Sequence, residues 1–168
     1  GAHALPGLGF PQGETVTFGA RWHTIRWIER GDWEAVAELE LPAEFAADLD
    51  GITAHPALTD LATTFGLHLL APPADDMVYV PTSIERMRLP PGRWPRRIRS
   101  HVRLTALQHG ASARFDVVIG DVNGVPLAVF EGFTLQSVSR SVKSSQADAR
   151  PPSLEARLNA GIMAADAP

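Results

Sequence analysis

The 168-residue chain contains no cysteine, which excludes a disulfide scaffold and any thiolate-ligated metal and is compatible with a reducing compartment. It has no surplus of positive charge either. The formal net charge is −4, and without a basic footprint nucleic acid is not the expected partner. No apolar run reaches about 18 residues, the minimum for a spanning helix, and no segment reads as a secretory signal, so the expectation is a cytoplasmic protein without a membrane anchor. His23, His55, His68, His101 and His109 show none of the paired spacings that bind zinc, and Ser83 lacks the flanking glycines of a nucleophile elbow. There is no internal repeat.

What is present suits one modest core: 45% of the residues are hydrophobic. Residues 1–13 are rich in Gly and Pro and read as an extended lead-in. Residues 15–29 read as one or two strands, turned at Arg30-Gly31-Asp32 into a strand whose inward positions are Trp33, Ala35, Ala37, Leu39 and Leu41. Pro42 to Leu49 suits a short helix with Phe45 and Leu49 inward. Pro72-Pro73-Ala74-Asp75-Asp76 breaks the chain before a strand running from Met77 to Leu89.

Ile98, Ser100, Val102 and Leu104 alternate with Arg97, Arg99, His101 and Arg103, which predicts a strand with one basic face. Ala113, Phe115, Val117 and Ile119 predict the next strand, and the Asn123-Gly124 pair that follows is a hairpin signal. A last strand covers Val125 to Val138. One helix with an antiparallel strand set is an α+β architecture. From residue 140 the composition turns to Ser, Lys, Gln, Asp and Pro, as in a linker, with a short helix expected over Ser153 to Ile162.

The segment richest in chemistry is His55-Pro56-Ala57-Leu58-Thr59-Asp60. Pro56 suits a first helical position, where its missing N–H costs nothing. Leu58, Leu61, Ala62, Phe65 and Leu69 then form one apolar stripe, with Asp60 and Thr64 on a neighbouring face. A carboxyl group flanked by Ala57, Leu58 and Leu61 is expected to be partly desolvated, which favours its protonated form and suits a general acid. The competing reading is an acid placed to complement the helix dipole.

The same segment resembles the aspartate motif of polyketide synthase dehydratase domains, written HPALLDxxxQ. Phe18-Gly19-Ala20-Arg21-Trp22 is similar to the family's YGPxF segment, and Tyr79-Val80-Pro81-Thr82-Ser83-Ile84 to its LPFSW segment. With the strand-rich stretch ending at Leu135, the resemblance covers roughly residues 14–139. It implies a double hotdog, two units each with a long helix wrapped by an antiparallel sheet, with the catalytic His on the first and the Asp on the second. This chain resembles the C-terminal, Asp-bearing half.

The resemblance further implies a β-hydroxyacyl thioester held on the phosphopantetheine of an acyl carrier protein, and no other cofactor or metal. The family's His takes the α-proton and Asp60 protonates the departing hydroxyl. Thr64 stands where the family has Gln or His to hold that hydroxyl, His55 is expected either to orient the helix start or to contact substrate, and Val80 and Pro81 are expected to contact substrate as walls of a hydrophobic tunnel reaching Asp60.

Departures accompany the matches. Phe18 lacks the aromatic hydroxyl of YGPxF, and Ala20 replaces its Pro. The His motif HxxxGxxxxP is not present: His3-Ala-Leu-Pro-Gly7 imitates its start, but Gln12 stands at the final Pro. Neighbouring synthase domains are expected partners. Arg93, Arg96, Arg97, Arg99 and Arg103 are either a docking stretch for an acidic carrier protein or a solvated strand face. Three functional readings stay open: a dehydratase portion whose base comes from elsewhere, a noncatalytic docking hotdog of the synthase, and a self-sufficient hotdog thioesterase or isomerase, for which homodimerisation is expected.

Overall fold

The structure, a computed structural model, describes residues 18–71 and 77–139. The expected lead-in over 1–13, the break over 72–76 and the tail from 140, with its helix over Ser153 to Ile162, lie outside the described residues.

Among the described residues seven antiparallel strands make one sheet. They are β1 (Ile25–Arg30), β2 (Glu34–Glu40), β3 (Met77–Ser83), β4 (Arg86–Arg88), β5 (Arg97–Gln108), β6 (Ser112–Asp121) and β7 (Pro126–Ser139). Their order is β1-β2-β5-β6-β7-β3, with β4 also paired to β7. The one α-helix among the described residues, α1 (Pro56–Thr64), continues as a 3-10 helix over Phe65–Leu69 and packs against β2 and β5. This is the hotdog arrangement, a helix held against an antiparallel sheet. Among the described residues no helix is long and apolar enough to cross a membrane.

The core follows the sequence periodicities. Leu58, Leu61, Ala62, Phe65 and Leu69 are all buried, as are Ala35, Ala37, Leu39 and Leu41 on β2 and the inward residues Ile98, Val102, Phe115, Val117 and Ile119 of β5 and β6. Two contacts set how close the helix lies. Ser100, fully buried on β5, donates to the Ala62 carbonyl at 2.6 Å. Gly66 leaves no space for a side chain: a Cβ there would stand 3.0 Å from the Phe115 ring and 3.3 Å from Val102. Tightening to a 3-10 turn after Thr64 has a local cause. Thr63 and Thr64 donate their hydroxyls back to the carbonyls of Thr59 and Asp60, which bends a helix, and Gly66 then weakens its continuation.

The Asn-Gly hairpin joins β6 to β7 as expected. Gly124 has φ +87°, and the Asp121 carboxylate accepts from the N–H groups of Asn123 and Val125, both at 2.8 Å. The backbone N–H of Val125 is the leading cause holding the Asp121 pKa below the usual carboxylate range.

Two sequence expectations are corrected. The Met77 to Leu89 strand is divided into β3 and β4: its pairing with β7 is irregular between Pro81 and Ser83, ends at Ser83 opposite Thr134 and resumes at Arg86 opposite Glu131, on either side of Gly132, φ +66°. Trp33 is 64% exposed and not inward, since it sits in the turn before β2 and outside the ladder.

Glu38 and Glu40, on the outer face of β2, are nonetheless buried, at 4% and 8% exposure. The register sets Glu38 opposite Arg99 and Glu40 opposite Arg97, so arginines cover them. Arg97 and Arg99 bond Glu38 at 2.8 and 3.0 Å, Arg26 bonds Glu40 at 2.8 Å, and Arg96 also pairs with Glu40. Much of the basic face read from the sequence is thus engaged within the sheet.

Candidate active site

The start of α1 is built by its own sequence. His55 is the N-cap, its backbone extended, and its Nδ1 accepts from the Ala57 N–H at 3.2 Å while Pro56 occupies the first turn. The backbone N–H and the hydroxyl of Thr59 both donate to the His55 carbonyl, at 2.9 and 3.1 Å. Asp60, one turn further, is half-buried.

Among the described residues its carboxyl has one donor. The indole Nε1 of Trp22 donates to Oδ2 at 2.8 Å, across 38 positions of sequence. Trp22 closes a 3-10 turn, Ala20–Trp22, whose preceding Arg21 donates from Nε to Asp48 Oδ2 at 2.6 Å. His55 Nε2 lies 3.4 Å from the same oxygen, and the Arg21 guanidinium stacks 4.2 Å from the centroid of Phe45. Asp48 is therefore held below the usual carboxylate range, by the Arg21 hydrogen bond first and His55 after it. Since His55 caps with Nδ1, its Nε2 is the nitrogen that carries the proton towards Asp48. Two successive residues, Arg21 and Trp22, thus fasten one turn to both the cap and the carboxyl of α1.

The other residues singled out in the sequence are distributed differently. Thr64 is buried, and its hydroxyl proton goes to the Asp60 backbone carbonyl at 2.7 Å, so the group that stands for the family's Gln is spent within the helix. Val80 is half-buried and Pro81 exposed on β3, the edge of the sheet opposite β1, with β6 and β7 between it and the strands under α1. Of the tryptophans at positions 22, 27 and 33, Trp22 and Trp27 are half-buried and Trp33 is exposed.

A groove of about 210 Å³ lies on the outer face of the sheet, between Val36, His101, Val118 and Pro126, and does not include Asp60. Among the described residues no cluster of His, Asp and Glu is arranged to hold a metal. His101 pairs with Glu34 at 2.9 Å, and His23 and His109 are exposed.

Sequence reasoning did not find the hydrogen bond from Trp22 to Asp60. The single signal was its place at the end of the Phe18 to Trp22 segment, since no local spacing links positions 22 and 60.

The family described as polyketide synthase dehydratase N-terminal domain matches residues 12–145. The chain belongs to the polyketide synthase dehydratase family. Solved dehydratases share its fold. One is an inactive aspartate-to-asparagine mutant of the CurK dehydratase, with 20% identity, 78% of this chain and 46% of that chain covered, and a TM-score of 0.65. A proline-to-leucine variant of the GphF dehydratase has 26% identity, with 72% and 44% covered and a TM-score of 0.62. The bifunctional dehydratase-cyclase domain in ambruticin biosynthesis has 18% identity, with 83% and 49% covered and a TM-score of 0.71. This dehydratase-family chain therefore spans about half the length of these relatives. No curated protein matches it.

Proposed function

We propose that residues 14–139 are the Asp-bearing hotdog half of a synthase dehydratase, acting on or holding β-hydroxyacyl thioesters on an acyl carrier protein, with Asp60 as general acid. The observation that carries this reading is the Asp60 carboxyl, on the helix opened by His55-Pro56, half-buried and bonded through one oxygen. The family's matching description names the N-terminal domain; the reading of the Asp-bearing half rests on this helix.

Water loss from a β-hydroxyacyl group needs an acid at the leaving oxygen and a base at the α-carbon, and no resident metal or redox cofactor. Asp60 suits the acid. His55 is spent as cap and Asp48 partner, so the base comes from a residue other than this cap. Thr64, His55, Val80 and Pro81 remain proposed substrate contacts, with Thr64 able to offer only its lone pairs while its proton is engaged. Carrier protein and neighbouring synthase domains are the proposed partners, in the cytoplasm, with residues 140–168 as the linker.

A second reading, a noncatalytic docking module of the synthase, is favoured by one observation: the Thr64 hydroxyl is bonded to backbone. Mass spectrometry of a β-hydroxyacyl carrier protein incubated with this chain and with Asp60→Asn separates the two. Loss of 18 Da, about one water, by the first protein and not by the second is the expected result. Absence of turnover in both would give the noncatalytic reading its support.

A further inference from the structure

We infer that Trp22 is a positioning residue for Asp60: its indole N–H holds Oδ2, so that the transferable proton resides on Oδ1. The inference rests on the reading of Asp60 as the acid and goes beyond it by assigning the two oxygens. An indole has one donor and no acceptor. It cannot take a proton from the carboxyl, so the direction of the bond is the same in the acid and in the carboxylate. Asp60 has no other donor among the described residues.

Trp22 is not free to swing away. Its backbone N–H donates to Gly19 at 2.9 Å and its carbonyl accepts from Thr24 at 2.8 Å. Its ring stacks on Phe18 with centroids 6.4 Å apart, and the adjacent Arg21 is tied through Asp48 to the cap of the same helix. The carboxyl orientation is therefore set by groups already in place before substrate arrives.

In the elimination the proton passes from Asp60 Oδ1 to the β-hydroxyl oxygen. The carbon–oxygen bond breaks with its electron pair leaving in water, and the pair of the α-carbon–hydrogen bond forms the alkene as a base takes that proton. Asp60 becomes a carboxylate as this proceeds. A neutral N–H···O=C contact turns into a charge-assisted one, which is roughly twice as strong, so Trp22 binds the developing charge better than the ground state.

The test follows the indole N–H signals of ¹⁵N-labelled protein during an acid titration, with Trp22→Phe identifying the Trp22 resonance. In the wild-type chain that resonance shifts as the carboxyl is protonated, and in Asp60→Asn the shift is lost; this control separates Asp60 from Asp48, which reaches Trp22 only through Arg21. A Trp22 signal that stays still through the titration would overturn the inference. In the dehydration assay Trp22→Phe lowers kcat about tenfold with KM little changed, the size of one charge-assisted hydrogen bond. Full turnover by Trp22→Phe, with none by Asp60→Asn, would overturn the positioning role and leave the acid role standing. Turnover retained by Asp60→Asn would instead overturn the acid role.

Discussion

Replacing Gly66 with alanine tests how tightly the helical segment carrying Asp60 is held to the sheet. In an exposed helix the change stabilises by roughly 0.5–1 kcal/mol, because alanine loses less backbone entropy. Here the added Cβ stands 3.0 and 3.2 Å from two atoms of the Phe115 ring and 3.3 Å from a Val102 methyl. Phe115 is fully buried on β6, between β5 and β7, where side chains are close-packed and a ring yields little. Overpacking of this kind costs about 1–3 kcal/mol, which outweighs the propensity gain. The expected outcome is a net loss of about 1–2 kcal/mol, read as a lower urea midpoint at unchanged m.

The cause is isolated by a double-mutant cycle with Phe115→Leu, whose own cavity cost is separate. In that background the Gly66→Ala penalty shrinks towards zero, leaving only the Val102 contact, and the coupling energy is about 1 kcal/mol. Gly66→Ala at or above wild-type stability, or the same penalty in both backgrounds, would refute the reasoning.

Further outcomes follow from other contacts. His55→Ala removes the cap acceptor and costs about 1 kcal/mol, with faster amide exchange at Ala57, whereas His55→Asn keeps an acceptor and loses less. Burial first, and the Arg30 charge second, lower the His68 pKa, and its Nε2 has no described partner. The unfolded chain then binds that proton more readily, so stability falls as pH drops below roughly 6.5, and His68→Leu flattens this part of the urea-midpoint profile. An unchanged profile would remove His68 from the account. Gly132→Ala forces a side chain at φ +66° and 2.7 Å from Glu85, which displaces Glu85 from Arg114. A cost of about 1–3 kcal/mol is expected, and Glu85→Ala relieves only its steric part.

How much of the molecule was legible depends on the distance over which each feature is decided. The apolar stripe from Leu58 to Leu69 and the alternation from Ile98 to Leu104 are repeats at 3.6 and 2 residues, so burial of one face follows from local geometry. The Asn123-Gly124 turn is local too, because Gly124 alone must take a positive φ. The helix start could be placed because Pro56 suits a first helical position and the apolar stripe begins two residues later, at Leu58.

Tertiary structure decided the rest. Trp33 falls in phase with β2 but outside its ladder, and only pairing reveals that. Glu38 and Glu40 read as exposed charges until the β2–β5 register sets them under Arg97 and Arg99. Thr64 matches a motif position, yet its short hydroxyl finds the Asp60 carbonyl one turn back before it can reach outwards. Sequence alone determined that this chain makes an Asp-bearing amphipathic helix against an antiparallel sheet, since periodicity is a property of neighbours. Which group holds the Asp60 carboxyl was decided only when the fold brought Trp22 to it across 38 residues, because a hydrogen bond depends on position in space and leaves no period in the chain.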